Sequence, residues 1–297
     1  MPNSPPLPAH PAALYVVATP IGHLGDLSLR ALETLRSVDS IACEDTRHAR
    51  HLLNHYDIRA QTFSLHQHNE NAAAEKLLQR LNEGKSVALI SDAGTPAVAD
   101  PGARTVATIR AAGFRVVPVP GANAAITALS ASGLAADNEH FLFVGFLPAK
   151  VGARRTAIEK LAAIPATLVF YEAPHRILET VGDLADLLEP EREIAIAREL
   201  TKMFEQIERM PLATAVDWLN ADPNRRRGEF VLIVSAPPPR PTQDAETERL
   251  LRILLAELPL KQAAKIAAEI TGLGKNALYE QGLALKNAKQ MKNSPQE

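Results

Sequence analysis

From Leu14 to Pro120, short apolar runs rich in β-branched residues alternate with segments whose apolar residues recur at helical spacing. The runs LYVVATP (14–20), SIACED (40–45), SVALISD (86–92) and RVVPVP (115–120) read as buried strands. Between them SLRALETLRSV, TRHARHLLNHY and AAAEKLLQRLNEG read as helices. A chain that alternates this way has few arrangements open to it, and the pattern predicts an α/β fold with a mostly parallel, helix-covered sheet. The small-residue segment GANAAITALSASGL (121–134) predicts a closely packed helix leading to a second block, about 141–236. There FLFVGF, ATLVFYEA, EIAIAREL and EFVLIVSA read as strands, with helices at 174–188 and 212–220. Strands outnumber helices in this block, which predicts a mixed sheet.

The stretch PPPRPTQDAETE reads as a linker, and only helical patterns follow it, with Gly272 and Gly274 marking a tight turn. The expected boundaries are a proline-rich disordered leader at 1–12, α/β domains at 13–135 and 136–236, a linker at 237–248 and a helical tail at 249–292.

Composition narrows the function. Hydrophobic residues make up 46% of the 297, but aromatics only 4%, so the cores must be built from Ala, Val, Leu and Ile. A net charge of -2 gives no global signature of a nucleic-acid binder, and any RNA contact must rest on local basic patches. The lone Cys43 offers neither a disulfide nor a metal cluster and fits a reducing compartment. No apolar run approaches membrane-spanning length, and the first 13 residues lack the basic start and apolar core of a signal peptide.

Five stretches carry polar chemistry at predicted strand ends, where open α/β sheets bind ligands. TPIGHLGDLSLRALE places Gly22 and Gly25 in a loop that permits close backbone approach, and it also reads as an ordinary strand–helix connection. SDAGTPAVADPG (91–102) is nearly free of bulky side chains and suits main-chain recognition of a small polar ligand. It matches neither dinucleotide nor phosphate-loop patterns. Its Asp100 and Pro101 fit the start of a helix, with Asp100 as N-cap, as well as they fit a binding role. CEDTRHAR brings Glu44, Asp45 and Arg47 together, and equally fits a capped helix with a solvated basic face. FYEAPHRILETV gathers Tyr171, Glu172, His175 and Arg176 at a helix start. ARELTKMFE and RRRGEFVLIV supply Lys202, Arg198 and Gly228, with Arg225, Arg226 and Arg227 in what also reads as a solvated loop.

In this order, TPIGHLGDLSLRAL, EDTR, SDAGTPAVADPG, VPGANAAITALSASGL, FVGFLP, YEAPHRI, ARELTKMFE and GEFVLIV closely resemble the recurrent stretches of the ribosomal small-subunit methyltransferase I family. That family is a branch of the tetrapyrrole (class III) methylases. The stretches span residues 14 to 236, and the tail sequence KQAAKIAAEITGLGKNALYE resembles the family's extension. The resemblance implies two α/β domains with S-adenosylmethionine in the cleft between them. It also implies a homodimer acting in the cytoplasm, and 2′-O-methylation of a decoding-centre cytidine in 16S rRNA. Matched by motif, the cofactor would meet Pro20, Asp92, Gly94, Thr95, Val98, Asn123, Ala124, Tyr171, Glu172, Thr201 and Gly228. Asn123 departs from the family pattern, which predicts serine there.

Methyl transfer to a ribose hydroxyl needs a base or a polarising cation. The sequence offers Glu172, Asp45, Glu44 and His175 as bases, with Lys202 and Arg47 as electrostatic helpers and no metal. RNA would meet Arg154, Arg155, Arg176, the 225–227 arginines and the tail lysines Lys261, Lys265 and Lys275. Residues 261–292 carry these three and Lys286, Lys289 and Lys292, against Glu269 and Glu280. Two competing readings are a same-fold methylase acting on a tetrapyrrole or protein side chain, and a non-catalytic RNA-binding assembly protein.

Overall fold

The structure, a computed structural model, describes residues 12–66, 69–135, 140–238 and 243–292, with the backbone alone at 243–246 and 287–292. The expected leader, apart from Ala12, and the side chains of Lys289 and Lys292 lie outside the described residues. The chain divides into two compact units, one up to Pro237 and one from Pro238.

The first unit begins with β1 (Ala13–Val17), α1 (Leu29–Ser37), β2 (Ser40–Cys43), α2 (Thr46–His55), β3 (Gln61–Ser64), α3 (Glu70–Asn82), β4 (Val87–Ile90), α4 (Ala103–Ala111) and β5 (Arg115–Val119). Its five strands form a sheet in the order β3-β2-β4-β1-β5, and every pairing in it is parallel. Alternate residues serve opposite faces. Val17, Ile41 and Ile90 pack with Leu35 and Leu53 on one side, while Leu14, Ala42 and Leu89 pack with Leu77, Leu81 and Ile109 on the other.

Then come α5 (Ala124–Ser132), β6 (Phe141–Phe146), α6 (Val151–Ala162), β7 (Thr167–Glu172), α7 (Ile177–Leu187), β8 (Glu193–Arg198), β9 (Gln206–Pro211), α8 (Ala215–Ala221) and β10 (Phe230–Val234). The second sheet runs β6-β7-β10-β8-β9 and is mixed as expected: β6 and β7 are parallel, and the other neighbours antiparallel. One of its faces holds Leu168, Phe170, Ile194, Ile196 and Leu232 against α7 and α8. The other presents the smaller Ala195 and Ala197 to Ala125 and Ala128 of α5, which lets that helix lie close. Ile21, from the loop after β1, packs on the same face and joins the two sheets.

The second unit is the helical tail, α9 (Gln243–Glu257), α10 (Leu260–Thr271) and α11 (Lys275–Lys292). Leu251, Ala264, Ala267 and Leu278 form its core. Gly272 closes α10 in the left-handed region at φ 71, the turn the sequence predicts. The expected linker is shorter than 237–248, because α9 already begins at Gln243.

Two edge strands, β3 and β9, and the helix α6 are absent from the sequence reading. The expected start of a helix at Asp100 is also corrected. Helix α4 begins at Ala103, and its free N–H groups are met by Glu70 of α3, whose carboxylate accepts from Gly102 N and Thr105 N, both at 3.1 Å. A distant side chain thus takes the cap, and Asp100 is left outside the helix.

Candidate active site

The loop after β1 and the loop after β4 are pinned together. Thr19 N donates to Gly94 O at 2.8 Å and Gly94 N donates to Thr19 O at 3.1 Å, forming an isolated antiparallel bridge. Beyond the bridge the 91–102 loop turns sharply, with Ala97 and Ala99 at φ 66 and 63. Non-glycine residues hold such angles only where their surroundings enforce them, commonly at functional sites.

A third loop, after β8, meets the other two. Glu199 and Thr201 have φ 49 and 63, and Thr201 Oγ1 accepts from His23 N at 3.0 Å. A Cβ on Gly22 would stand 2.6 Å from both Thr201 Oγ1 and Lys202 Cγ, so the first loop requires glycine there.

These loops and the start of α5 enclose a cavity of about 330 Å³. That volume lies within the usual range for small-molecule sites, about 300–1,000 Å³. The cavity sits at the carboxyl ends of β4 and β7 and at the start of β10, whose antiparallel pairing sets Phe230 opposite Glu172. Of the expected cofactor residues, Gly94, Thr95, Val98, Asn123, Ala124, Tyr171 and Glu172 line it. Pro20, Asp92, Thr201 and Gly228 do not. Ile21 and Lys202 line it in the places of Pro20 and Thr201, and Glu229 in that of Gly228.

Four of the wall residues are held for visible reasons. Thr95 Oγ1 donates to Ala122 O at 3.0 Å, and Tyr171 OH accepts from Ala125 N at 3.2 Å. Burial raises the Tyr171 pKa. Asn123 caps α5, its Oδ1 accepting from Ile126 N at 3.2 Å, so asparagine serves the cap that serine would serve. Phe146 reaches the cavity because β6 carries a bulge, with a register shift between Phe143 and Gly145 and Gly145 at φ 74.

The charged candidates separate sharply. Glu172 is a cavity residue, but its side chain is fully buried: Thr180 Oγ1 donates to Oε2 at 2.6 Å, Ala173 N donates to Oε1 at 2.8 Å, and Arg176 lies 3.3 Å from Oε1. A carboxylate so occupied organises the start of α7 and is corrected as a base. Asp45 caps α2 and accepts from Arg47 Nε and Nη2, and the Arg47 side-chain hydrogen bonds hold its pKa down to about 2. Arg47 is spent on that pair, and neither residue reaches the cavity. Glu44 and the exposed His175 also stand outside the lining. Lys202 is inside it, held by Glu199 at 2.9 Å and Glu229 at 2.8 Å. Burial works against its charge, but the hydrogen bonds to Glu229 and Glu199 outweigh it and raise its pKa.

Asp100, which the sequence fits equally to a helix cap and to a binding role, belongs to the site. It lines the cavity, and its pKa is pushed up to about 6 by burial and then by the charge of Glu44. The local signal for it is that it is one of two aspartates, with Asp92, in a loop otherwise made of small residues.

The expected RNA contacts in the second sheet's helices are corrected. Arg154 is 1% exposed and clamped by Asp183 at 2.6 Å and Glu179 at 3.1 Å. Arg155 joins the same cluster through Asp183 at 2.7 Å and Asp186 at 3.2 Å. Arg176 donates to Leu147 O at 2.7 Å and faces Glu172. These guanidiniums hold helices and loops together. In the tail, Lys261 and Lys275 are exposed, and Lys265 lies 3.9 Å from Glu269. No described helix is long and apolar enough to cross a membrane.

The family described as Tetrapyrrole (Corrin/Porphyrin) Methylases matches residues 13–216, and the one described as RsmI C-terminal HTH domain matches residues 241–286. The chain is 51% identical over 285 residues to a Vibrio cholerae protein named Ribosomal RNA small subunit methyltransferase I, covering 95% of this chain and 96% of that one. It is 52% identical over 271 residues to the Escherichia coli O157:H7 protein of that name, covering 91% and 94%. Among solved structures, the cobalt precorrin-4 methyltransferase matches with a TM-score of 0.57 at 16% identity, over 75% of this chain and 94% of that one. The Thermus thermophilus uroporphyrin-III C-methyl transferase, complexed with S-adenyl homocysteine, matches with a TM-score of 0.53 at 18% identity, over 75% and 97%. These last two establish the fold.

Proposed function

The chain belongs to the tetrapyrrole methylases and, within them, to the ribosomal RNA small subunit methyltransferase I family, and on that footing we propose that it methylates the 2′-hydroxyl of a cytidine in 16S rRNA from S-adenosylmethionine. The observation that carries the reading is identity near 50% over almost the whole of relatives bearing that name. The cavity supports it. Its size suits the cofactor, its rim joins loops from both sheets, and Gly94 at φ 81 exposes main chain where a Cβ would press on Ile21 at 3.3 Å. Gly94, Thr95, Asn123 and Ala124 would hold the cofactor, with Val98, Phe146 and Tyr171 as apolar walls.

When bound, S-adenosylmethionine supplies an electrophilic methyl group for in-line displacement. The protein's part is to orient the acceptor, exclude water and take its proton. Lys202, kept charged by Glu199 and Glu229, lines the same cavity, and in this reading it would stabilise negative charge on the attacking oxygen. The reading places the protein in the cytoplasm, on the small ribosomal subunit. Exposed Met203 (90%) and Phe204 (66%), beside the cavity loop, support a homodimer buried there.

Transfer of tritium from labelled cofactor to small subunits lacking the modification tests the function. Label recovered as 2′-O-methylcytidine is the expected result. Label on a base or a protein side chain, or no transfer to RNA, overturns it.

A further inference from the structure

Five titratable groups line the cavity: Asp100, Tyr171, Glu172, Lys202 and Glu229. Four of them are committed elsewhere. Glu172 is filled by Thr180, Ala173 and Arg176. Glu229 is paired with Lys202 at 2.8 Å, and that lysine is held as a cation. Tyr171 OH accepts from the backbone of α5, and burial opposes its ionisation. Asp100 differs, because among the described residues no Lys, Arg or His pairs with its carboxylate, and the only group that lowers its pKa is the neutral hydroxyl of Ser91.

Resting on the ribose-methylation reading, we propose that Asp100 is the general base that accepts the 2′-hydroxyl proton during methyl transfer. As the hydroxyl oxygen forms its bond to the methyl carbon, the proton passes to the Asp100 carboxylate. The methyl–sulfur bond breaks with its electron pair going to sulfur, leaving a neutral thioether, and Asp100 later returns the proton to solvent.

The surroundings of Asp100 suit this task. Ala97 and Ala99, just before it, are both in left-handed conformations, so the loop leads into Asp100 along a fixed path at a backbone cost. Glu44 at the end of β2 and Asp92 at the end of β4 face it, both raising its pKa, while Tyr171 of β7 faces it from the second sheet. Glu70 of α3 is engaged with Gly102 and Thr105, and Arg104 on α4 is exposed. Burial and the two neighbouring carboxylates push Asp100 up to about 6, so it is ionised at neutral pH yet more basic than an ordinary aspartate.

The test uses the full chain. Carbon-13 NMR of carboxyl-labelled aspartate should show one resonance titrating near pH 6 that vanishes in Asp100→Asn and moves to lower pH in Glu44→Gln. Single-turnover methyl transfer to small subunits should rise tenfold per pH unit to a plateau above that midpoint. Asp100→Asn should lower the plateau by about 10²–10⁴-fold, with S-adenosylmethionine affinity by calorimetry within about threefold of wild type, and Asp100→Glu should recover part of the rate. Glu44→Gln should shift the acid limb of the rate profile in the same direction as the NMR midpoint. The proposal is overturned if Asp100→Asn keeps the wild-type rate and acid limb, or if its loss is wholly one of cofactor affinity. Should Asp100→Asn not fold, an acid limb unmoved by Glu44→Gln overturns it alone. No transfer to the subunit by wild-type protein would instead sink the ribose-methylation reading.

Discussion

At Gly228, φ is 92 and a Cβ would stand 2.4 Å from Glu199 Cγ, the side chain that holds Lys202. Gly228→Ala should therefore cost about 2–4 kcal/mol in urea unfolding, combining backbone strain with displacement of Glu199. Gly84→Ala, at φ 78 but with nothing within 4 Å, should cost only about 1 kcal/mol. Equal losses would mean that Glu199 yields freely. Thr180→Val leaves one oxygen of the buried Glu172 without its donor and should cost about 1–3 kcal/mol. Asp100 gives a prediction with a pH sign. Its folded pKa lies above its unfolded value of 3.8, so the wild type loses stability as pH rises from about 4 through about 6. Asp100→Asn should accordingly match the wild-type Tm at pH 4 and exceed it at pH 7; a constant difference would refute the shift. Such residues explain where sequence reasoning stops. Arg154 reads like any basic helical residue, because the carboxylates that bury it come from another helix, 25 and 29 positions later. Asp100 reads like an N-cap because Glu70, which takes that role, is 32 residues from Gly102.

At the scale of elements, the central strands were legible because burial on both faces forces continuous apolar runs. The edge strands were not. QTFS and QIERMP each have one neighbour and keep polar side chains outward, so neither period nor hydrophobicity marks them. The motif loops were legible as glycine-rich and small, whereas their meeting across two sheets was not, since that depends on the Thr19–Gly94 bridge and on Thr201 binding the first loop. The bulge in β6 makes an element-level prediction. Gly145→Ala should strain the bulge and turn Phe146 away from the cavity, weakening S-adenosylmethionine binding several-fold at a stability cost of about 1 kcal/mol. Undiminished affinity by calorimetry would show that Phe146 adds nothing to the site.

For the whole molecule, the division at Pro237 and Pro238 separates the cavity from the helical tail. A chain ending at 237 should keep its cofactor affinity, while its affinity for the small subunit falls. If the tail docks RNA, the slope of log K against log salt should flatten by about one unit for each phosphate-bound lysine removed. An unchanged slope with a lowered Tm would assign the tail to stability alone. The correction of Arg154 adds a contrast, since Arg154→Met should lower Tm and leave that slope unchanged.

All of this stands on the cavity between the two sheets being the cofactor site. Thr95 lines that cavity, with its hydroxyl on Ala122 O. Calorimetric titration of S-adenosylmethionine into wild-type protein and Thr95→Arg, with melting curves for both, tests the claim most directly. One site per chain, lost in the variant at an unchanged Tm, is the predicted result; unchanged affinity in a folded Thr95→Arg protein would contradict it.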